Sequence, residues 1–153
     1  MALWKVSKIA IASVLLMGLG ATSAYASADD AIKGRQGCMK ASGKMMEELA
    51  AMFKGEKPYD AVAVKAVMDA HDVACADWAK WWGEDSQKGE TLKTRAKPEI
   101  WTDPEGFKAA GEAFYGKYVA LGKSTDEASF KAAFPEVGNG CKGCHDKFRA
   151  PEE

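Results

Sequence analysis

The sequence predicts an all-α protein, an antiparallel up-down-up-down four-helix bundle. Three observations carry that reading. Apolar residues recur at steps of three and four along four long segments. Two of the three connections between those segments are short, which favours antiparallel neighbours. No alternating apolar–polar run of strand length interrupts them.

The first helix is expected from about Asp30 to Lys54, after a start rich in capping groups, Ser27-Ala28-Asp29-Asp30. Its stripe reads Ile32, Gln36, Met39, Gly43, Met46, Leu49 and Phe53. Gly55-Glu56-Lys57-Pro58 stops it, because glycine accepts a helix-terminating backbone and proline cannot continue one. The second helix runs from near Asp60 to about Trp82, with Val64, Val67, Met68, His71, Cys75, Trp78 and Trp82 on one face. From Gly83 to Thr102 the pattern breaks into a connection long enough to cover something, with Ile100 and Trp101 as its apolar anchor.

The third helix has a clear start: Asp103 as N-cap, Pro104 at the first helical position and Glu105 behind it. Phe107, Ala110, Phe114, Tyr118 and Leu121 form its stripe, and Gly122 closes it. Ser124-Thr125-Asp126-Glu127 reads as the capping box of the fourth helix. Phe130, Phe134, Val137, Cys141, Cys144, His145 and Phe148 follow along it. Pro135 removes one backbone hydrogen bond, so a kink or break is expected there. Glycines 138, 140 and 143 weaken the helix further and would let a flat ring lie close to the backbone.

That last helix carries Cys141-Lys142-Gly143-Cys144-His145, the attachment pattern of a c-type haem. Each thiol adds to a vinyl group to form a thioether, and the adjacent histidine turns its imidazole onto the iron. Two blander readings compete. A zinc site needs four ligands, and Cys141, Cys144 and His145 supply three with only His71 left over. A thioredoxin-like dithiol needs a preceding strand, and none is patterned here. One covalent haem c through Cys141 and Cys144 is the expected cofactor.

Haem attachment of this kind takes place outside the cytoplasm, and the N-terminus agrees. Lys5 and Lys8 form a basic region, Ile9 to Leu19 an uncharged apolar run, and Ala24-Tyr25-Ala26 a small-x-small cleavage site. Residues 1–26 therefore read as a cleaved secretory signal peptide, and 27–153 as one domain exported to the periplasm. Removing Lys5 and Lys8 takes the net charge from −1 to −3, with 19 basic against 22 acidic residues. No basic tract suggests nucleic acid, and no membrane attachment is expected after cleavage.

In an up-down-up-down bundle, the start of the first helix, the end of the second, the start of the third and the end of the fourth meet at one end. Arg35 to Met39, His71 to Trp82 and Trp101 to Phe107 are thereby brought to the haem motif. Arg35 and Gln36 are candidates to reach the haem propionates or edge, against a solvated first turn of helix. Arg149, one turn beyond His145, is a candidate to pair with a propionate or shape access to the proximal face, against a cation that simply suits the helix dipole. Cys38 and Cys75 lie symmetrically about the turn at Glu56-Lys57, hence at one height on neighbouring helices. An oxidising compartment permits a disulfide between them; two buried thiols are the alternative.

Arg35-Gln36-Gly37-Cys38-Met39 early in the chain, with Cys-x-x-Cys-His late and a basic residue four positions after the histidine, resembles the cytochrome c′ family, the class II c-type cytochromes. The resemblance covers the whole of 27–153. The linker Gly55-Glu56-Lys57-Pro58-Tyr59-Asp60 is similar to that of the family's low-spin members. The resemblance implies His145 as proximal ligand and Cys141 and Cys144 as thioether donors. It sets Met39 where low-spin members place a methionine ligand and high-spin members leave the iron five-coordinate. Residue identity leaves both states open, since methionine on an apolar stripe is often packing. His71 is the other candidate for the sixth position, against a packed, hydrogen-bonded core histidine.

The leading expectation is a non-enzymatic electron carrier, low-spin through His145 and Met39, passing electrons to unidentified redox partners. The alternative is a five-coordinate haem that binds nitric oxide or carbon monoxide. Only His71 and Gln36 are nearby polar groups able to alter an apolar distal pocket. A peroxidase-like enzyme would need a distal acid–base pair, and the sequence offers none. The resemblance also implies a homodimer through the first two helices, a surface the 83–102 connection bears on.

Overall fold

The computed structural model describes residues 27–152; the signal-peptide assignment for 1–26 lies outside the described residues. Four long helices form the bundle: α1 (Ala28–Phe53), α2 (Ala61–Cys75), α4 (Pro104–Gly122) and α5 (Glu127–Phe148). A single helical turn, α3 (Glu99–Thr102), precedes α4, and 3-10 turns cover Trp78–Trp81 and Glu84–Ser86. Among the described residues there is no strand, only an isolated bridge between Ala96 and Arg149.

The starts and stops follow local chemistry. Ser27 and Asp30 form a reciprocal capping box at α1, and Gly55 takes a φ of +76° where the helix is released. Asp60 caps α2 through the amides of Val62 and Ala63. Asp103 accepts from Gly106 N, with Pro104 opening α4. At α5 the cap is Asp126 with Ser129 as its reciprocal partner, two residues later than the box read from Ser124.

The α1–α2 hairpin packs on the α4–α5 hairpin around Met45, Leu49, Met52, Val64, Met68, Tyr118, Leu121, Phe130, Phe134 and Val137. This core lies toward the end where α1 turns into α2. There Tyr59 Oη donates to Ser124 O at 2.8 Å, tying the α1–α2 loop to the α4–α5 loop. At the opposite end Lys147 Nζ donates to Asp103 Oδ2 at 2.5 Å, joining the end of α5 to the start of α4.

Three expectations are corrected. The second helix does not reach Trp82: α2 stops at Cys75 and the chain tightens into 3-10 geometry. The bend lays the Trp81 ring on Gly34 of α1, where any Cβ would run into the indole. Second, α5 runs unbroken through Pro135. Pro135 and Lys131 lie on its exposed face, where the carbonyl freed by the missing N–H remains open to solvation. Third, the buried face of α1 is Ala31, Ile32, Arg35, Cys38, Met45, Leu49 and Met52, while Gln36, Met39, Gly43 and Phe53 are exposed. The apolar stripe drawn through those residues was rotated about one position from the true one.

The 83–102 connection is well anchored, as its apolar pair suggested. Ile100 is buried, and Trp101 Nε1 donates to the carbonyls of Trp82 and Gly83 at 3.0 and 3.1 Å. It covers the start of α1: Asp29 accepts from Thr91 N at 3.0 Å, Leu92 N at 3.1 Å and the Thr91 hydroxyl. Its last residues strap α5, with Lys97 N donating to Phe148 O at 3.0 Å and Ala150 N to Arg95 O at 2.8 Å.

Candidate functional site

Cys141, Cys144 and His145 occupy positions i, i+3 and i+4 of α5 and so share one helix face. Cys141 packs against the edge of the core, and all three side chains are half-buried. Both thiols are free. Burial raises both above the ordinary cysteine range, with Cys141 adding to the effect at Cys144, so they stand as neutral thiols. Burial, with the charges of Arg149 and Arg95, holds the His145 imidazole below its usual range. A neutral imidazole keeps a nitrogen lone pair free for a metal.

Arg149 ends α5, its amide donating to His145 O at 3.0 Å. With Arg95, Lys97, Asp146, Ala150 and Pro151 it lines a recess beside His145. Arg95 and Lys97 had no signal in the sequence; the strap that holds the end of α5 brings them there.

A run of aromatic rings leads from α5 toward α1. Phe107 meets Phe148 at 5.2 Å, Trp82 meets Phe107 at 4.7 Å, and Trp78 meets Trp82 at 4.8 Å. The three glycines of α5 differ: Gly140 admits α4, since a Cβ would lie 3.2 Å from Phe114 Cα, whereas nothing lies within 4 Å of a Cβ at Gly143.

Arg35 is neither solvated nor turned outward. It is 4% exposed, donates from Nη2 to Ser86 O at 2.7 Å, and lies 4.7 Å from the Trp82 and 5.7 Å from the Trp101 ring centroids. It clamps α1 to the 83–102 connection. Its Nε and Trp82 Nε1 are buried without a protein partner. Gln36 Nε2 donates to Lys93 O at 2.8 Å, a second tie to that connection. Met39 is 39% exposed and stands outside the core.

His71 is 7% exposed and engaged at both ring nitrogens. Nε2 lies 3.0 Å from Ser42 Oγ, and Nδ1 lies 3.3 Å from Tyr118 Oη. It takes the packed, hydrogen-bonded state. Cys38 and Cys75 form a disulfide between α1 and α2. With those two cysteines joined to each other, the thiols available for a covalent cofactor among the described residues are Cys141 and Cys144. That donor set, two free thiols and a neutral imidazole on one helix face, fits a c-type haem. Cys141 and Cys144 would carry the thioethers and His145 the iron.

The comparisons agree. The family model described as cytochrome C′ matches residues 30–149. Cytochrome c′ of Cereibacter sphaeroides is 34% identical over 140 residues, covering 90% of this chain and 94% of that protein. Cytochrome c′ of Rubrivivax gelatinosus is 39% identical over 124 residues, covering 78% and 94%. A solved nitric oxide complex of a variant cytochrome c prime from Alcaligenes xylosoxidans superposes with a TM-score of 0.71 at 32% identity, covering 83% of this chain and 99% of that one. On its helix order, its haem-attachment motif and these matches, the chain belongs to the cytochrome c′ family, whose members carry one covalent c-type haem.

Proposed function

We propose that this chain is a periplasmic haem protein that binds small neutral diatomic gases, nitric oxide and carbon monoxide. His145 serves as the protein ligand, and Cys141 and Cys144 as covalent anchors. The haem supplies an iron able to bind such ligands and to change oxidation state; the chain supplies its setting. One observation carries the reading: Gln36 and His71, the polar groups of α1 and α2 able to alter an apolar distal pocket, are engaged elsewhere. Gln36 is tied to Lys93, Arg35 to Ser86, and His71 to Ser42 and Tyr118. A distal side whose side-chain amide and imidazole are already engaged favours nitric oxide and carbon monoxide over dioxygen. The likeness to a nitric oxide complex of a relative supports the same choice.

A second reading keeps the electron carrier, with Met39 as sixth ligand. Its support is that Met39, one residue after the disulfide cysteine Cys38, is exposed at 39% rather than packed as core. Redox partner proteins would then be the physiological contacts. A homodimer through α1 and α2 accommodates either reading, and Val62 and Val73 stand exposed on α2 for it.

The deciding experiment is the visible spectrum of the ferrous protein before and after carbon monoxide. The gas-binding proposal expects a broad high-spin spectrum that sharpens with the gas, and little change in Met39→Ala. A sharp low-spin spectrum unmoved by carbon monoxide, and lost in Met39→Ala, would hand the function to the electron carrier.

A further inference from the structure

We propose that Cys38, Cys75 and His71 supply the three protein ligands of a second metal site, distinct from the haem, that takes zinc(II) with water in the fourth position once the disulfide is reduced. The Cys38 and Cys75 sulfurs and an imidazole nitrogen of His71 all lie within 4.8 Å of one another. Cys75 Sγ is 3.4 Å from His71 Nε2. Zinc bonds of about 2.3 Å to sulfur and about 2.0 Å to nitrogen set neighbouring donor atoms roughly 3.5–4 Å apart. The sulfur–nitrogen pair is therefore already near ligand spacing.

The scaffold explains why these atoms converge. His71 and Cys75 are one turn apart on α2, the i, i+4 spacing that puts two ligands on one helix face. Cys38 comes from the facing helix α1, and Ser42 stands one turn further along it, its hydroxyl 3.0 Å from His71 Nε2. Bundles build metal sites in this way, from side chains on facing helices.

Both ring nitrogens of His71 have a partner: the Ser42 hydroxyl donates to Cys38 O at 3.0 Å and is left to accept from Nε2–H at 3.0 Å, while Tyr118 stands on the Nδ1 side. Tyr118 Oη has close acceptors in Asp72 Oδ1 at 2.7 Å and Met68 O at 3.0 Å, so its own proton is committed. It is left able only to accept on the Nδ1 side of His71, at 3.3 Å, and the Asp72 carboxylate lies 3.5 Å from the same nitrogen. Zinc would displace the proton from Nε2; the ring proton then sits on Nδ1, held by Tyr118 Oη, and the Nε2 lone pair faces the two sulfurs. A carboxylate on the far side of a histidine is an outer partner that metal-bound histidines use, and Asp72 stands there, bridged by Tyr118.

The chemistry balances with a dithiol as reductant. Its two S–H groups become a disulfide, the Cys38–Cys75 bond breaks, and each released sulfur takes a proton. Zinc then binds both sulfurs as thiolates, with the two thiol protons passing to solvent, and His71 adds its Nε2 lone pair. Cys75 is the more open of the two sulfurs and closes α2, so exchange begins there.

The test uses the untagged holoprotein, in which Cys141 and Cys144 are held in thioethers and do not compete. The disulfide is reduced anaerobically with a phosphine, which is then removed. Zinc chloride is titrated against a chromogenic zinc indicator while the Soret band reports on the fold. The expected result is one equivalent of zinc bound after reduction and none before it. Cys38→Ala/Cys75→Ala binds none after the same treatment, and His71→Gln binds at least tenfold more weakly than wild type. No stoichiometric binding by the reduced protein overturns the proposal, whether or not the Soret band survives. So does equal binding by the double variant, or undiminished binding by His71→Gln.

Discussion

Arg35 Nη2 donates to Ser86 O at 2.7 Å across 51 positions of sequence, with the guanidinium lying against the Trp82 ring. The contact joins α1 to the long connection and leaves little of the arginine exposed. Arg35→Ala removes a charge-assisted bond and a cation–π contact and leaves the Ser86 carbonyl buried. The expected loss is about 2–4 kcal/mol, read as a lower urea midpoint by circular dichroism. Arg35→Lys recovers only part, because one ammonium cannot match both the carbonyl and the ring. A midpoint unchanged in Arg35→Ala would show that the clamp is not holding the connection.

Asp29 holds the same connection from the other side and makes it acid-sensitive. The Thr91 hydroxyl, with the amides of Leu92 and Thr91, keeps its carboxyl below the usual aspartate value of 3.8. A folded pKa below the unfolded one gives stability that is present above the unfolded value. It is lost as pH falls through the folded value. Asp29→Asn is therefore expected to lower the urea midpoint at pH 7. The gap to wild type should close as pH drops below about 4. A gap that widens in acid would mean the sign is wrong.

Two glycines on the α4–α5 pair predict opposite responses to alanine. At Gly140 a Cβ would press 3.2 Å from the Phe114 backbone, so Gly140→Ala must part the helices at a cost of about 1–3 kcal/mol, reduced by the better helix propensity. At Gly116 nothing lies within 4 Å, so Gly116→Ala gains about 0.5–1 kcal/mol from propensity alone. Thermal midpoints moving in the same direction for both would remove the packing explanation.

The disulfide spans 37 positions of sequence, and opening it frees that loop in the unfolded chain. Cys38→Ala/Cys75→Ala is expected to cost about 2–4 kcal/mol by urea titration. The haem spectrum should stay unchanged, because Cys141, Cys144 and His145 lie on a different helix. A shifted Soret band in this variant would mean that the staple also positions α1 against the haem.

Much of this architecture was legible in the sequence because it rests on local chemistry. Asp103-Pro104, Asp60 and Gly55 mark helix ends through groups within a few residues, and the Cys-x-x-Cys-His spacing carries its own covalent logic. The pairing of Cys38 with Cys75 was legible from hairpin symmetry. The buried face of α1 was not, because two candidate stripes lie almost side by side. The true one contains Arg35, whose burial depends on tryptophans more than forty residues away. The bend after Cys75 was hidden for a related reason. Trp78 and Trp82 keep helical spacing, while the contact that rewards leaving the helix is with Gly34. The roles of Gln36, Asp29 and Ser86 depend on where the 83–102 backbone passes, and side-chain type does not encode that path.

The packed core gathers toward the α1–α2 turn, whereas the thioether donors lie at the far end of α5. Cys141 stands at the boundary between them, packed against the core on one side and a single helical turn from Cys144 and His145 on the other. A haem joined there would be fastened to the same rod that the core grips, so any strain at the iron has a short, stiff route into the packed half of the bundle.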